Sequence, residues 1–131
     1  DGIFLIQPTS PFRKLNTIKK ILNEFKRNKM RRSIVSVKKV KNHPEWMFEI
    51  KKNRMIQLRK QKKIQMSQFL KQLFVLNGLA YLLVPKDLIK QKTHIPKNSI
   101  PFMCNSEIES LDIDTKEDFL IAKAFKSFFK L

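Results

Sequence analysis

Apolar and polar positions recur with two different periods along this chain, and the switches between them outline its elements. Ile3 to Ile6 is a short continuous apolar run, the pattern of a strand buried on both faces. Pro8 and Pro11 then bracket a rigid loop that cannot continue a ladder, because proline has no N–H to give. Helical spacing takes over next. Ile18, Ile21, Leu22 and Phe25 fall at i, i+3, i+4 and i+7, with Lys and Asn between them. Asn16 or Thr17 is placed to cap that helix. Ser33-Ile34-Val35-Ser36-Val37 alternates and is β-branched, which predicts a second strand. Strand, helix, strand in this order predicts a right-handed crossover and a parallel sheet.

Further on, Trp46-Met47-Phe48-Glu49-Ile50 and Met55-Ile56-Gln57-Leu58 flank a polar turn and read as a hairpin. Residues 59–72 are basic and glutamine-rich without a period, a loop or a frayed helix. Leu73 to Val84 is apolar and aromatic, a strand in which the Asn77-Gly78 step signals a bulge or a close backbone approach. Pro85 to Leu88 is the first turn of a short helix with proline at its first position. Residues 91–99 make a polar loop, and Ile100 to Met103 a short strand. In the last stretch Thr115 and Asp118 resemble a capping box, with Asp in place of the usual Glu or Gln. Leu120, Ala124 and Phe128 share one face there, beside Ile121 and Phe125; these residues, with Ile18 and Phe25, are the expected core.

The 131 residues suffice for one domain with a real core. No apolar run approaches the ~20 residues of a membrane span, so no membrane partner is expected. The chain opens with Asp1 inside a strand, without a leader's charged and then apolar pattern, and so reads as a fragment. Cys104 is the single cysteine, which excludes an internal disulfide and fits a reducing, cytoplasmic setting. The net charge of +17 raises the question of nucleic acid. It is concentrated: residues 13–97 carry +20 and residues 98–131 carry −2. Yet 22 of the 28 basic residues are Lys, in a chain also rich in Ile, Asn and Phe, the drift of an AT-rich genome. Arg, the better reader of grooves and phosphates, is scarce. Solvated Lys faces therefore outweigh a nucleic-acid surface, with part of the charge free to serve a small anionic ligand.

Asp112 and Asp114 carry the first candidate chemistry. On a strand both would point to one face, with Ile113 turned to the core. Two such carboxylates suit a hard cation such as Mg²⁺, able to hold pyrophosphate oxygens and activate a hydroxyl. The plainer reading has Asp114 cap the next helix and Asp112 solvated, and the pair alone favours it. Gln7, Ser10 and Arg13 follow the first strand, where open α/β sheets bind ligands. Gln7 could hydrogen-bond sugar hydroxyls, and Arg13 could fork onto a carboxylate or phosphate. The alternative is a rigid turn whose polar residues cap the helix. His43 and His94 have no Cys or His cluster around them, and with only Gly2 and Gly78 there is no glycine-rich phosphate loop.

In order along the chain, Gln7-Pro8-Thr9-Ser10-Pro11-Phe12-Arg13, Leu76-Asn77-Gly78-Leu79-Ala80-Tyr81 and Ser110-Leu111-Asp112-Ile113-Asp114-Thr115 resemble the motifs of the acylneuraminate cytidylyltransferases. That family's patterns are Gln-Pro-Thr-Ser-Pro-Leu-Arg, Asn-Gly-Ala-Ile-Tyr and Ser-Ile-Asp-Ile-Asp-Thr. The resemblance implies an α/β, three-layer nucleotide-diphospho-sugar transferase-like (Rossmann-like) fold. Residues 1–131 would be the C-terminal portion of one such domain, with residues 41–72, including His43, Pro44 and Trp46, a small β-hairpin dimerisation arm. The N-terminal CTP-binding part would be absent. With the motifs in register, the resemblance makes Asp112 and Asp114 the catalytic, Mg²⁺-holding aspartates. It gives substrate binding to Gln7, Ser10, Arg13, Gln68, Phe74, Asn77 and Tyr81. Gln7 would face the acylneuraminate, the Asn77-Gly78 step would bring backbone close to the sugar, and Phe74 and Tyr81 would shape its pocket. For Phe74 and Tyr81 a plain core role weighs as much, and for Ser10 and Arg13 a structural role is slightly favoured.

One stretch departs from the family. Where it carries Arg-Gln and then Leu-Pro, this chain has Ser67-Gln68-Phe69-Leu70-Lys71, so Ser67 replaces the Arg that meets the sugar carboxylate. Lys62, Lys63 or Lys71 could supply charge but not the fork. The resemblance further implies a cytoplasmic homodimer that joins CTP to an acylneuraminate-like keto-sugar, releasing pyrophosphate. Without the CTP loop, these 131 residues are expected to be inactive alone. Two rival readings stand beside it: a basic nucleic-acid-binding module, which explains the charge but not the motifs, and a non-catalytic dimerising remnant.

Overall fold

A computed structural model describes residues 1–58 and 70–129. Gln68, Ser67, Lys62 and Lys63 lie outside the described residues. The chain divides into two compact units, Asp1–Lys38 with Leu76–Leu131, and Lys39–Val75. The elements run β1 (Ile3–Leu5), α1 (Leu15–Arg27), β2 (Ile34–Lys39), a 3-10 turn (Pro44–Trp46), β3 (Phe48–Lys51), β4 (Arg54–Gln57), β5 (Phe74–Leu83), α2 (Pro85–Gln91), β6 (Ile100–Met103) and α3 (Lys116–Phe129).

The sheet order is β1-β5-β2-β6. β5 runs antiparallel to β1, pairing Ile3 with Leu83 and Leu5 with Tyr81, whereas β2 and β6 are parallel from Ile34 opposite Ile100. The fold is therefore α/β with a mixed sheet, not the parallel one expected. β5, about 70 residues after β1, inserts between the two strands that sequence order makes neighbours, a long-range pairing that local pattern does not encode. Ser36 of β2 and Ser33 just before it strengthen that insertion: Ser36 Oγ accepts from Ala80 N and Ser33 Oγ from Val84 N, each at 3.0 Å.

The core lies on one side of β5 and under α1. Ile21 and Phe25 of the helix meet Ile34, Leu79, Ala80, Leu82 and Cys104, with Ile18, Leu22 and Phe102 packed at the margin. Full burial of each large side chain contributes about 1.5–3 kcal/mol, so this cluster fixes α1 on the sheet. Tyr81, Leu83 and Val35 form a smaller cluster with Leu88 of α2. α2 starts on Pro85 as its sequence predicts.

Two expectations change. α1 begins at Leu15 with Lys14 as N-cap and no side-chain cap from Asn16 or Thr17. Instead the Glu109 carboxylate accepts from Lys14 N at 3.3 Å, a distant anion at the positive end of the helix. α3 keeps its capping box, with Thr115 Oγ1 accepting from Asp118 N at 3.1 Å and Asp118 Oδ2 accepting from Thr115 N at 2.9 Å. Its stripe is not core, however: Leu120 and Phe128 are 63% and 81% exposed, Ala124 is exposed, and only Ala122 is buried. The period marks a face suited to burial but does not supply what would cover it.

In the unit Lys39–Val75, β3 and β4 form the expected hairpin around Lys52 and Asn53, both at left-handed φ, the geometry of a tight primed turn. His43 is satisfied within this unit: Nδ1 accepts from Glu45 N at 3.3 Å, which leaves Nε2 to donate to Lys71 O at 3.2 Å. Phe74 belongs here too and is exposed.

Candidate active site

Three segments converge on Gly78: the loop after β1, the middle of β5 and the segment after β6. Gly78 has φ +68°, a left-handed conformation in the middle of a strand, so the side-chain alternation breaks there and Leu79 and Ala80 both join the α1 core. A Cβ on Gly78 would stand 2.6 Å from Gln7 Oε1, 3.3 Å from Asp112 Oδ2 and 3.5 Å from Ser10 Oγ. Three oxygens from two distant loops thus surround one point on the strand. The anticipated close backbone approach at Asn77-Gly78 is what the structure contains.

The loop after β1 is drawn in by Arg13. Its Nε donates to Leu79 O at 2.9 Å and its Nη2 to Gln7 O, so one guanidinium ties the loop to β5. Arg13 is thereby occupied by backbone carbonyls, the structural side of its two readings. Burial lowers its pKa from the ordinary arginine value, and the nearby Asp112 charge works against that shift. The segment after β6 is held by Ile113 N donating to Thr9 O at 2.9 Å, and by Lys38 Nζ donating to Ser110 O at 3.2 Å.

Asn77 is buried and turned inward. Its Nδ2 donates to Ser110 Oγ at 3.0 Å and its Oδ1 accepts from Leu79 N at 3.4 Å, bonds that brace the turn at Gly78. Tyr81 packs edge-on against His94, ring centroids 5.3 Å apart. Burial first, and then the negative charge of Asp112, raise the Tyr81 phenol above its ordinary value.

Two side-chain oxygens here, Ser10 Oγ and Asp112 Oδ1, are buried without a hydrogen-bond partner among the described residues. An unsatisfied buried oxygen costs about 1–3 kcal/mol, which a ligand or cation would relieve. The donor set around Gly78 is entirely oxygen, with one carboxylate, and this fits a hard cation. Among the described residues no group of three or more His, Cys, Asp and Glu could hold a metal ion. Asp114 is exposed, two residues before α3 begins. Residues 111–114 form no ladder, so strand alternation does not fix the relation of the two aspartates.

The structure thus brings together Gln7, Ser10, Arg13, Asn77, Tyr81 and Asp112. Sequence reading assigned nothing to Ser110, Glu109, Lys38 or His94. Ser110 lies inside a motif already singled out; for the other three no local signal exists.

The chain is 30% identical over 124 residues to a CMP-N,N'-diacetyllegionaminic acid synthase of Legionella pneumophila, covering 94% of this chain and 53% of that relative. It spans about half the relative's length. No protein-family model matches the chain. This similarity supports the CMP-nonulosonic acid synthase family that the motif resemblance implied. Among the described residues no helix is long and apolar enough to cross a membrane.

Proposed function

We propose that this chain is the sugar- and metal-binding portion of a cytidylyltransferase that makes a CMP-nonulosonic acid and pyrophosphate from CTP and an acylneuraminate-like keto-sugar. The observation that carries the reading is the convergence of Gln7, Ser10 and Asp112 oxygens on Gly78, two of these residues having a buried oxygen with no partner among the described residues. The fold that accompanies it is the three-layer, Rossmann-like sugar-nucleotide transferase, with these residues as its C-terminal portion.

Asp112 would hold Mg²⁺, with Asp114 as its second carboxylate. When bound, the ion supplies charge neutralisation at phosphate oxygens and a lowered pKa for an attacking hydroxyl. Gln7 binds and orients the sugar through its carboxamide. Asn77 and Arg13 hold Gly78 and the Gln7 carbonyl in place, and Tyr81 closes the apolar side. Such catalysis rests on positioning and preorganised charge. The whole enzyme would be a cytoplasmic homodimer using the hairpin unit as its arm, and the 131 residues alone would be inactive.

The test is Asp112→Asn in the complete protein, with CMP-sugar formation followed against Mg²⁺ concentration. A loss of roughly 100-fold or more with an unchanged fold is expected. Undiminished turnover would reject Asp112 as the metal ligand.

A further inference from the structure

The basic residues that this site leaves unused are not scattered. Arg31 and Arg32 stand on the turn into β2, and Asn28 pins that turn. Its Oδ1 accepts from Arg31 N at 3.0 Å and from Arg32 N at 3.1 Å, while its Nδ2 donates to Arg32 O at 3.4 Å. The two residues before them, Lys29 and Met30, are both at left-handed φ, so the turn is a defined one. Arg32 then reaches the loop before β6, where its Nε donates to Asn98 O at 2.7 Å. That bond anchors the guanidinium through Nε and leaves its two Nη groups without a hydrogen bond among the described residues. On the same loop Lys97 N donates to the Gln91 side chain at 2.8 Å.

These residues line a groove of about 480 Å³ with Asp87. It is continuous with a depression of about 580 Å³ that adds Lys90 and Thr93. Four cations, Arg31, Arg32, Lys90 and Lys97, share the groove with one carboxylate, and among the described residues none of the four is in an ion pair. The groove and Asp112 lie beyond opposite ends of β6. β2 and β6 are parallel and in register from their first residues. Arg32 and Asn98 precede those strands, whereas Ser110 and Asp112 follow the end of β6.

We propose that this groove is a second anion site, separate from the Gly78 site, for a small ligand carrying two or more linked phosphates. An anchored guanidinium matches phosphate oxygens with a bidentate fork and gives up little side-chain freedom on binding. The volume is that of a small-molecule site. Several cations against one carboxylate call for a ligand with more than one negative charge.

The probe is sodium pyrophosphate, titrated into the chain by calorimetry at low and high salt. Saturable binding is expected, weakened by salt. Arg32→Gln should reduce affinity roughly tenfold, and Arg32→Lys should fail to restore it, because charge survives but the anchored fork does not. Arg31→Gln breaks no side-chain bond and keeps the test independent of folding; it too should weaken binding. With Mg²⁺ left out of the titration, Asp112→Asn should leave affinity unchanged, which separates this site from the proposed catalytic one. No saturable binding would overturn the proposal, as would loss in Asp112→Asn but not in Arg31→Gln or Arg32→Gln. Binding of a labelled oligonucleotide without any binding of pyrophosphate would overturn it in favour of a polymer surface.

Discussion

The carboxamide of Asn77 donates to the hydroxyl of Ser110 at 3.0 Å, across 33 residues of sequence. This bond joins the Asn-Gly motif of β5 to the aspartate motif after β6, and Ser110 passes it on by donating to Cys104 Sγ at 3.4 Å. Both side chains are buried, so removing one partner strands the other without water. Ser110→Ala is expected to destabilise the chain by about 1–3 kcal/mol in urea unfolding. The double variant with Asn77→Ala should cost clearly less than the sum of the two singles. Additive losses would show that the bond does not couple the motifs.

Gly78 is constrained twice, by its φ of +68° and by Gln7 Oε1 at 2.6 Å from where a Cβ would stand. A left-handed backbone costs an L-residue roughly 1–2 kcal/mol. Gly78→Ala should lose at least that in thermal or urea unfolding, and the Gln7 side-chain amide resonance should move as the side chain is pushed aside. An unperturbed Gln7 resonance would mean that the crowding at Gly78 is relieved elsewhere.

The legible parts of this fold are those with local causes. The α1 stripe, the hairpin turn at Lys52-Asn53, the proline start of α2 and the Thr115–Asp118 box all arise from residues within a few positions of one another. The missed parts have distant causes. Nothing near β1 announces that β5 will pair beside it, and nothing near Lys14 announces Glu109 as its partner. Leu120 and Phe128 show the same limit from the other side, since a helical stripe states a need for cover without naming the cover. The motifs single out Gln7, Ser10 and Asp112, and the fold brings their oxygens to one point at Gly78. The Ser110 brace on Asn77 and the His94 ring on Tyr81 exist only once the chain has folded.

Arg13 stitches two backbone carbonyls, those of Leu79 and Gln7, with one planar group. Lysine keeps the charge beside Asp112 but not the fixed fork. Arg13→Lys should therefore destabilise the chain by about 1.5–3 kcal/mol, the range for hydrogen bonds to a charged group. Chemical denaturation checks it. A variant as stable as the parent would mean that the charge alone, rather than the fork, holds the loop after β1.

Tyr81 is the chain's single tyrosine, so its phenolate absorbance reports one site. Burial is the larger cause of its raised pKa and the Asp112 charge the smaller. Both favour the neutral phenol in the folded state. The associated stability is fully present below the ordinary tyrosine value of about 10 and is lost as pH rises through the higher folded value. Alkaline titration should accordingly show a midpoint above about 10, with unfolding favoured as that midpoint is passed. Asp112→Asn removes only the smaller cause, so its midpoint should fall part of the way and stay above the ordinary value. His94→Ala uncovers a ring edge and should also lower it, through solvation instead of charge. A midpoint in Asp112→Asn that drops all the way to the ordinary value would make the carboxylate the dominant influence on Tyr81. No change at all would place Asp112 too far from the phenol for the two to share one site.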